Sequence, residues 1–356
     1  MIESSKLVVV IAAGGTAGHI RPALAVGQAL RERGATVTFA GSPDRVESRL
    51  VPEAGFELDT FEISGFPRRP SIALLRALRQ AVKAPFACRA ILRRRRPDVV
   101  LGGGGYVAGS MVLAARLSGI PAALSEADAH LGLANRLAAP FASKLFLAYE
   151  IPGRSGAKVE VVGRPIPVAH LGASRADARA RFGLGPEEPV VAVFGALAGA
   201  TSLNEMAVRA WGDHGPAVLH VSGERDFASL ELRVDRPGYV LMPQTEQFGD
   251  VLAAADVAVS RAGGTVWELA AAGTPSILVP YPYATADHQT LNARHFERGG
   301  GAIVVANAEI DTVPGLVAEL LADPARRGEM RAAMLSMARV DAADRIAEGV
   351  IALARR

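Results

Sequence analysis

The stretch LVVVIAAGGTAGHIRPALAVGQAL, residues 7–30, contains an apolar run, a glycine-rich turn and a helical pattern in direct succession. An uninterrupted run of Val, Ile and Leu is typical of a strand buried on both faces of a parallel sheet. Gly14 and Gly15 then permit a tight turn, and Pro22 suits the first turn of a helix. This order predicts that the fold is built from βα units.

The same alternation continues along the chain in two series. The first continues with TVTFAG, PDVVLGGG, PAALSE, KLFLAY and VEVVG. The second consists of PVVAVFG, AVLHVSG, YVLMP, DVAVSRAGG, SILVPYP and GAIVV. We therefore predict an α/β protein with two Rossmann-like parallel-sheet domains facing a cleft, 1–163 and 164–338, and a C-terminal helix at 339–356 that can pack back on the first domain.

Composition limits the cellular setting and the class of function. Half of the 356 residues are apolar, the net charge is only +3, and Cys88 is the single cysteine. One cysteine excludes an intrachain disulfide, and no apolar run reaches the ~18 residues of a membrane span. The first residues lack the features of a secretory signal, so we predict a cytoplasmic protein. Aromatic residues make up 5% of the chain and do not interleave with its arginines, which disfavours nucleic-acid binding.

Three glycine-rich turns follow apolar runs and precede helical patterns. They are GGTAGH at 14–19, LGGGGYVAGS at 101–110 and SRAGGTVWELAAAG at 260–273. In an open parallel sheet such turns gather at the carboxyl edge, where ligands bind. Glycine lets a ligand approach backbone N–H groups, and a helix N-terminus attracts a phosphate. The first turn has the spacing GGxxG rather than GxGxxG, which disfavours a nicotinamide enzyme.

Each polar side chain near these turns has a plain structural alternative. His19 is either an incidental residue at a helix start or a proton acceptor, because an imidazole titrates near neutral pH. Glu268 is either a partner of the helix dipole or an acceptor for two ribose hydroxyls. Gln289 can bind sugar hydroxyls, and Glu126, at a strand end, is a rival base to His19.

Five motifs, in order, make the chain resemble the MurG-like peptidoglycan N-acetylglucosaminyltransferases: GGTAGHIRPALAVGQAL, GGYVAG, GLANRLA, SRAGGTVWELAAAG and DHQTLNA. The resemblance extends over nearly the entire chain. It implies a GT-B glycosyltransferase that binds an acceptor on the first domain and a UDP-sugar on the second, with inversion at the anomeric carbon. It implies no metal and no cofactor, and we find no Asp-x-Asp metal motif in a suitable loop.

The resemblance also implies roles for individual residues. It implies a catalytic base or acceptor-orienting group at His19, with Glu126 as the alternative. It implies acceptor contacts at Gly15, Thr16, Gly104, Tyr106, Asp128 and Asn135. It implies that the ribose lies on Glu268, the diphosphate on Gly264 and Thr265, and the sugar on Gln289. We expect further donor contacts at Gly195, Arg164, Arg261, Gly263 and His288.

The chain departs from the family pattern at three motifs. The phosphate loop GGSQGA is GALAGA at 195–200, with Leu197 and Ala198 in place of Ser and Gln. The linker GNPVR is GRPIP, where Arg164 offers a replacement cation. The acceptor motif HEQN or HEAN is SEAD at 125–128. We expect this last change to make the acceptor wall smaller and more acidic, and so unfavourable for a lipid diphosphate.

The segment 68–96 is strongly basic. Ten Lys and Arg residues and no acid lie between Phe66 and Pro97. A helical stripe formed by Leu75, Leu78, Val82 and Phe86 has basic neighbours at Arg76, Arg79 and Lys83. The segment is either a packed helix with a solvated basic flank or a surface that rests on anionic lipid. The family has a membrane-association patch in this region, so the resemblance favours a peripheral location on the inner face of the cell membrane.

Three functions remain open at this point. The altered motifs favour a diverged relative that glycosylates a nucleoside or peptide natural product from a UDP-sugar. The alternative is transfer of N-acetylglucosamine from UDP-N-acetylglucosamine to the lipid-linked muramyl pentapeptide of peptidoglycan synthesis. A non-enzymatic binding module is the third function, and the presence of His19, Glu268 and Gln289 together disfavours it.

Overall fold

The computed structural model describes residues 6–65, 71–172, 174–195 and 199–355. The chain divides into two compact units, Met1–Pro167 with Arg339–Arg356, and Val168–Ala338. The first unit thus extends to Pro167, a little beyond the boundary that we expected after Gly163. Each unit contains one parallel sheet, and the predicted α/β fold of two Rossmann-like domains is confirmed.

The first unit is built on seven parallel strands with helices between them. Its strands are β1 (Val8–Ala12), β2 (Thr36–Gly41), β3 (Glu57–Thr60), β4 (Val99–Gly102), β5 (Ala122–Glu126), β6 (Lys144–Leu147) and β7 (Val159–Val161). Its helices are α1 (Ala17–Glu32), α2 (Glu47–Glu53), α3 (Ile72–Arg95), α4 (Gly105–Leu117) and α5 (Leu133–Ala138). The strand order is β3-β2-β1-β4-β5-β6-β7.

The second unit is built on six parallel strands. They are β8 (Val190–Phe194), β9 (Ala217–Val221), β10 (Tyr239–Met242), β11 (Val257–Ser260), β12 (Ser276–Leu278) and β13 (Ala302–Val304), in the order β10-β9-β8-β11-β12-β13. Its helices are α6 (Arg175–Arg181), α7 (Thr201–Trp211), α8 (Glu224–Glu231), α9 (Phe248–Ala254), α10 (Val266–Ala272), α11 (His288–Arg298), α12 (Val313–Ala322) and α13 (Pro324–Met337).

Strand β1 shows why its apolar run forms the centre of a sheet. Val9, Val10 and Ile11 are fully buried, and β1 pairs in parallel with β2 on one side and β4 on the other. Val10 packs in the core beneath α3 and α4, whereas Val9 and Ile11 pack in the core that contains α1. Successive strand side chains point to opposite faces, so a strand covered on both faces requires apolar residues at every position.

The last helix, α14 (Ala342–Ala354), belongs to the first unit. Its buried residues Ile346 and Val350 join the core that contains Val9 and Ile11. An ion pair at 2.8 Å connects Asp344, at its start, to Arg33 at the end of α1. The chain therefore returns to its first unit after completing the second.

Candidate functional site

The first candidate site lies where the strand order of the seven-stranded parallel sheet reverses. Strands β1 and β4 are neighbours. From β1 the chain continues to β2 on one side of this pair, and from β4 it continues to β5 on the other side. The turns that follow two such neighbouring strands leave a crevice between them. GGTAGH and GGGGY are these two turns, so the predicted meeting of the two glycine motifs is what the sheet order produces.

The two glycine turns contact each other closely. Gly104 has φ +105° and Gly105 has φ +75°, conformations that favour glycine. A Cβ atom added to Gly104 would lie 2.7 Å from Cδ2 of His19, and one added to Gly105 would lie 2.2 Å from the Gly14 carbonyl oxygen. Glycine at both positions is therefore what allows the His19 ring to lie against the second turn.

His19 occupies the first turn of α1 and is half-buried. Its Nδ1 lies 3.2 Å from the hydroxyl oxygen of Thr16. Among the described residues, none forms a hydrogen bond with its Nε2. The Tyr106 ring lies over Gly15, 3.1 Å from where a Cβ of that glycine would be. His19, Thr16, Gly15, Gly104 and Tyr106 are thus gathered in one place, as the sequence predicts.

Glu47 is a component of this site that sequence reasoning missed. It begins α2 and is fully buried. Its carboxylate accepts hydrogen bonds from the backbone N–H of Gly15 and of Ser42, both at 3.0 Å. Glu47 thereby connects the turn after β1 to the turn after β2. In the sequence it looks like an ordinary acidic residue at a helix start, so nothing local indicates its burial.

Glu126 ends β5 and is buried. Its Oε1 accepts hydrogen bonds from the backbone N–H of Ala127 at 3.0 Å and of Asp128 at 3.3 Å. Its Oε2 accepts from the Gly132 N–H at 2.9 Å and from Nδ2 of Asn135 at 3.0 Å. Burial raises the pKa of Glu126, although the hydrogen bond from Gly132 acts to lower it. With four donors on its two oxygens, Glu126 fits the role of a loop anchor better than that of a mobile base.

Asn135 is buried beside this carboxylate. Its Nδ2 also donates to the Ser125 carbonyl oxygen at 3.1 Å. Its Oδ1 has no partner among the described residues although it is buried. A buried amide oxygen without a partner is costly, so it marks a position where a donor from a ligand or water would be stabilised.

Arg164 belongs to the first unit. Its side chain is buried, and it donates to the carbonyl oxygens of Ala127 and Gly18 at 3.0 and 2.6 Å. Two guanidinium nitrogens of Arg164 therefore donate to backbone carbonyl groups of the first unit and fix its side chain there. The same side chain lies 3.9 Å from the Asp128 carboxylate. The expected acidic wall at SEAD thus has a cation beside it, and the wall is less negative than the sequence suggests.

The second candidate site lies at the corresponding reversal of the six-stranded sheet, between β8 and β11. The turn after β8 begins at Gly195, where a Cβ would lie 2.6 Å from that of Ala200. Leu197 and Ala198, the two departures from the family loop, lie outside the described residues. After β11, Gly263, Gly264 and Thr265 are half-buried and lead into α10.

Glu268 lies in the first turn of α10 and is buried. Its Oε1 is 3.1 Å from Nδ1 of His170. Its Oε2 is buried and has no hydrogen-bond partner among the described residues. His170 itself packs edge-on against Phe248, with 5.8 Å between ring centroids. One carboxylate oxygen is therefore held in place, and the other is buried with its hydrogen-bonding capacity unused by the described residues.

Arg261 and Gln289 are held by the backbone at the end of β12. Arg261 donates to the carbonyl oxygens of Val279 and Pro280 at 3.0 and 3.1 Å. Oε1 of Gln289 accepts from the Tyr281 N–H at 2.9 Å. That bond directs the amide nitrogen of Gln289 towards Gly263, since a Cβ on that glycine would lie 3.9 Å from Nε2.

The start of α11 contains strained backbone. His288 places Nδ1 2.8 Å from the Thr285 carbonyl oxygen. The two residues just before it, Ala286 and Asp287, both have φ +52°. Consecutive non-glycine residues in the left-handed region cost free energy and are enriched at ligand-binding positions. The predicted donor residues Gly263, Gly264, Thr265, Glu268 and Gln289 thus lie near one edge of the second sheet, and Arg164 belongs to the first unit.

Helix α3 exposes the apolar stripe that the sequence left open to two interpretations. The α3 stripe consists of Ile72, Leu75, Leu78, Val82 and Phe86, whose exposed fractions range from 47 to 81%. The face that packs on the core carries small or short residues instead, among them Ala77, Ala84 and Cys88. Arg76, Arg79 and Lys83 are also exposed. The packed-helix interpretation of the stripe is therefore wrong; Arg68 and Arg69 lie outside the described residues.

An apolar groove of about 230 Å³ adjoins this helix. Its lining includes Pro85 from α3, Leu113 from α4, and Leu137 and Phe141 beyond them. Tyr106 also lines the groove, and its ring is the one that lies over Gly15. The groove therefore extends from α3 to Tyr106, beside the turn that contains His19.

Among the residues that the structure describes, no group of three or more His, Cys, Asp or Glu side chains is placed to hold a metal ion. No helix in this described part of the chain is both long enough and apolar enough to cross a membrane.

Known proteins and family models are similar in sequence to most of this chain. Family models for the glycosyltransferase family 28 N-terminal and C-terminal domains match residues 9–147 and 190–346. Two UDP-N-acetylglucosamine–N-acetylmuramyl-(pentapeptide) pyrophosphoryl-undecaprenol N-acetylglucosamine transferases are similar over most of their lengths. The one from Halothermothrix orenii is 36% identical, over 90% of this chain and 92% of its own. The one from Halorhodospira halophila is 41% identical, over 95% of this chain and 96% of its own.

A solved structure extends the similarity to the whole backbone. The crystal structure of Acinetobacter baumannii MurG superimposes with a TM-score of 0.76 at 26% identity, and the match covers 98% of this chain and 99% of that one. The relatives support peptidoglycan synthesis, which the sequence analysis ranked second, better than a diverged natural-product transferase. From the family models, the relatives and the fold together, we conclude that the chain belongs to glycosyltransferase family 28 and is a MurG-like glycosyltransferase.

Proposed function

We propose that this enzyme transfers N-acetylglucosamine from UDP-N-acetylglucosamine to an undecaprenol-linked N-acetylmuramyl pentapeptide. The observation that carries the choice of a lipid-linked acceptor is the α3 stripe. Monomeric proteins rarely expose a contiguous apolar surface of this kind unless it contacts a partner or a membrane. A soluble natural product would need neither the stripe nor the basic residues Arg76, Arg79 and Lys83 beside it.

In the proposed reaction His19 accepts the proton of the acceptor hydroxyl. For Nε2 to accept a proton, Nδ1 must carry the ring hydrogen and donate it to Thr16, which the 3.2 Å separation allows. The hydroxyl oxygen then attacks the anomeric carbon from the face opposite the departing diphosphate, and the configuration inverts. Glu126 holds the neighbouring loop and is not the base.

On the donor side, Glu268 would bind the ribose through its Oε2. Because Oε1 is already paired with His170, we propose a contact through one oxygen in place of the two-oxygen contact that the sequence suggested. The N–H groups of Gly264 and Thr265, which have no partner among the described residues, would donate to the diphosphate. Stabilisation by these donors needs no metal, so EDTA is expected to leave the transfer rate unchanged.

The direct test is transfer by the purified protein. Radiolabelled UDP-N-acetylglucosamine and lipid-linked muramyl pentapeptide in detergent are expected to give a labelled lipid product. A cell depleted of its own cell-wall transferase should likewise be rescued by the gene. UDP-N-acetylglucosamine binding without transfer to the lipid-linked acceptor would restore the diverged natural-product transferase.

The peripheral location on the inner face of the membrane has its own test. Vesicles with and without anionic lipid are sedimented with the protein at low and high salt, and binding is expected only to anionic vesicles and to weaken with salt. Changing Val82 and Phe86 to Ser should lower the vesicle partition coefficient at least ~10-fold, given ~1.5–3 kcal/mol for each buried side chain.

The matched control changes two apolar residues that are exposed elsewhere, Leu232 and Val340, to Ser. The control should bind vesicles as the parent does. Equal partitioning of the parent, the Val82 and Phe86 variant and the control would mean that the α3 stripe does not contact lipid.

A further inference from the structure

Arg164 joins two loops that are far apart in the sequence. It follows β7, only 7% of it is exposed, and its guanidinium reaches both candidate acceptor loops. Nη1 donates to the carbonyl oxygen of Ala127, directly after Glu126. Nη2 donates to the carbonyl oxygen of Gly18, the residue before His19. A single planar cation thus connects the proposed base to the loop after β5.

The Gly18 carbonyl lacks its usual hydrogen-bond donor within helix α1. Gly18 lies in the first turn of α1, where its carbonyl oxygen would ordinarily accept a hydrogen bond from the N–H four residues later. That residue is Pro22, which has no N–H. Arg164 supplies a donor at 2.6 Å to an oxygen that the helix itself cannot satisfy in this way. Arg164 thus supplies the hydrogen bond that Pro22 cannot donate to this carbonyl.

Asp128 is the third group in this arrangement. Its Oδ1 lies 3.9 Å from Nη1 of Arg164, and the exposed fractions of the two side chains are 25% and 8%. A guanidinium that is nearly buried is stabilised by a nearby carboxylate, and removing either charge leaves the other partly desolvated. Arg164 and Asp128 should consequently behave as a coupled pair.

We propose that Arg164 is a positioning residue that fixes His19 and the Glu126 loop relative to each other, and that it does not bind the donor. The expected effect of Arg164 on catalysis rests on the proposed role of His19 as the base. The expected effect of Arg164 on the order of the two loops rests on geometry alone. The two effects are measured separately, so that the failure of one can be distinguished from the failure of the other.

The kinetic arm compares Arg164→Met with Arg33→Met. Arg33 is the matched control because it lies in the same unit and also bonds a carbonyl oxygen and a carboxylate, those of Ala29 and Asp344. Arg164→Met should lower kcat by ~10- to 100-fold, the scale on which a misplaced catalytic group costs rate. UDP affinity should stay within about twofold of the parent, and Arg164→Lys should recover part of kcat. Arg33→Met should leave kcat unchanged.

The structural arm needs no activity. Hydrogen exchange of the amides in 15–19 and 127–132 should accelerate in Arg164→Met by ~10-fold or more, since a charge-assisted hydrogen bond is lost from each loop. The same amides should exchange at the parent's rate in Arg33→Met. This measurement tests whether Arg164 fixes the two loops, even if the proposed acceptor is incorrect.

The coupling to Asp128 is tested with the double variant. Asp128→Asn combined with Arg164→Met should show a smaller loss of melting temperature than the sum of the two single changes, because the double variant leaves no unpaired charge. The proposal is overturned by unchanged exchange in both loops, or by weakened UDP binding in Arg164→Met with kcat retained. The second outcome would restore Arg164 to the donor site.

Discussion

The crevice of the first sheet and that of the second are built on the same plan but differ in how their polar groups are used. In the first, Glu47, Glu126 and Arg164 are all paired with backbone groups of the surrounding turns. In the second, one oxygen of Glu268 is buried without a partner among the described residues. The polar side chains of the first crevice thus mostly hold its turns, with the buried Oδ1 of Asn135 as an exception, whereas in the second crevice a carboxylate oxygen has no partner among the described residues.

This difference teaches that a carboxylate at a strand end or helix start is not by itself a functional group. Glu126 and Glu268 are both buried; Glu126 ends β5 and Glu268 lies in the first turn of α10. What separates them is the number of hydrogen-bonding partners among the described residues: four for Glu126, and one, His170, for Glu268. Removal of the first should damage the fold of a loop, and removal of the second should damage ligand binding.

The largest expected effect sharpens the comparison on the side of the first crevice. His19→Ala should lower kcat by ~10²–10⁴, the range for loss of a general base, with UDP affinity unchanged. Steady-state kinetics and UDP titration calorimetry measure the two quantities. Thr16→Ala is the graded control, since it removes only the group that orients the ring, and it should cost less. Near-normal turnover in His19→Ala would transfer the base role to another residue.

Glu268→Ala tests the ligand side and should have the next largest effect. The loss of hydrogen bonds to a charged acceptor corresponds to ~1.5–3 kcal/mol, or a ~10- to 100-fold weaker UDP affinity. Glu205, which forms an exposed ion pair with Arg233, provides the control variant Glu205→Ala. If both variants bind UDP equally well, the unpaired oxygen of Glu268 has no ligand role and the comparison between the crevices fails.

The smallest expected effect concerns the contact between the two glycine turns. Gly104→Ala adds a Cβ 2.7 Å from the His19 ring at a residue with φ +105°. We expect a loss of about 1–3 kcal/mol in unfolding free energy and a roughly tenfold lower kcat, because the ring must shift. Gly119→Ala is the control: its φ is +74°, and a Cβ there would contact nothing within 4 Å. It should lose stability but keep kcat; equal kcat in both variants would show that the ring contact is unimportant.

Helix α3 illustrates what sequence periodicity can and cannot predict. The spacing of Leu75, Leu78, Val82 and Phe86 correctly predicts that they share one helical stripe. The pattern does not reveal which stripe faces the core. Beside the stripe, the core side is occupied by Ala84 and Cys88, where α3 packs against α4. Small residues carry little hydrophobic signal, and this is why the exposed stripe looked like the packed one.

The fold changes the interpretation of two departures from the family pattern, Asp128 and Arg164. Asp128 and Arg164 are separated in sequence, and each looks like an independent loss of a family residue. The structure brings them within ion-pair distance, so their charges offset one another. The sequence therefore overstated the acidity of the acceptor wall, and with it the case for an unusual acceptor.

The sequence by itself determined the alternation of strands and helices, the glycine turns and the position of His19 in its turn. These depend on local periodicity and on the conformations that glycine and proline permit, which are properties of neighbouring residues. Only the tertiary structure decided that Glu126 has four hydrogen-bond donors, that one oxygen of Glu268 is buried without a partner among the described residues, and that Arg164 belongs to the first unit. The physical reason is that a buried charge takes its role from the donors and acceptors that surround it, and for Glu268 and Arg164 those partners come from positions remote in the chain.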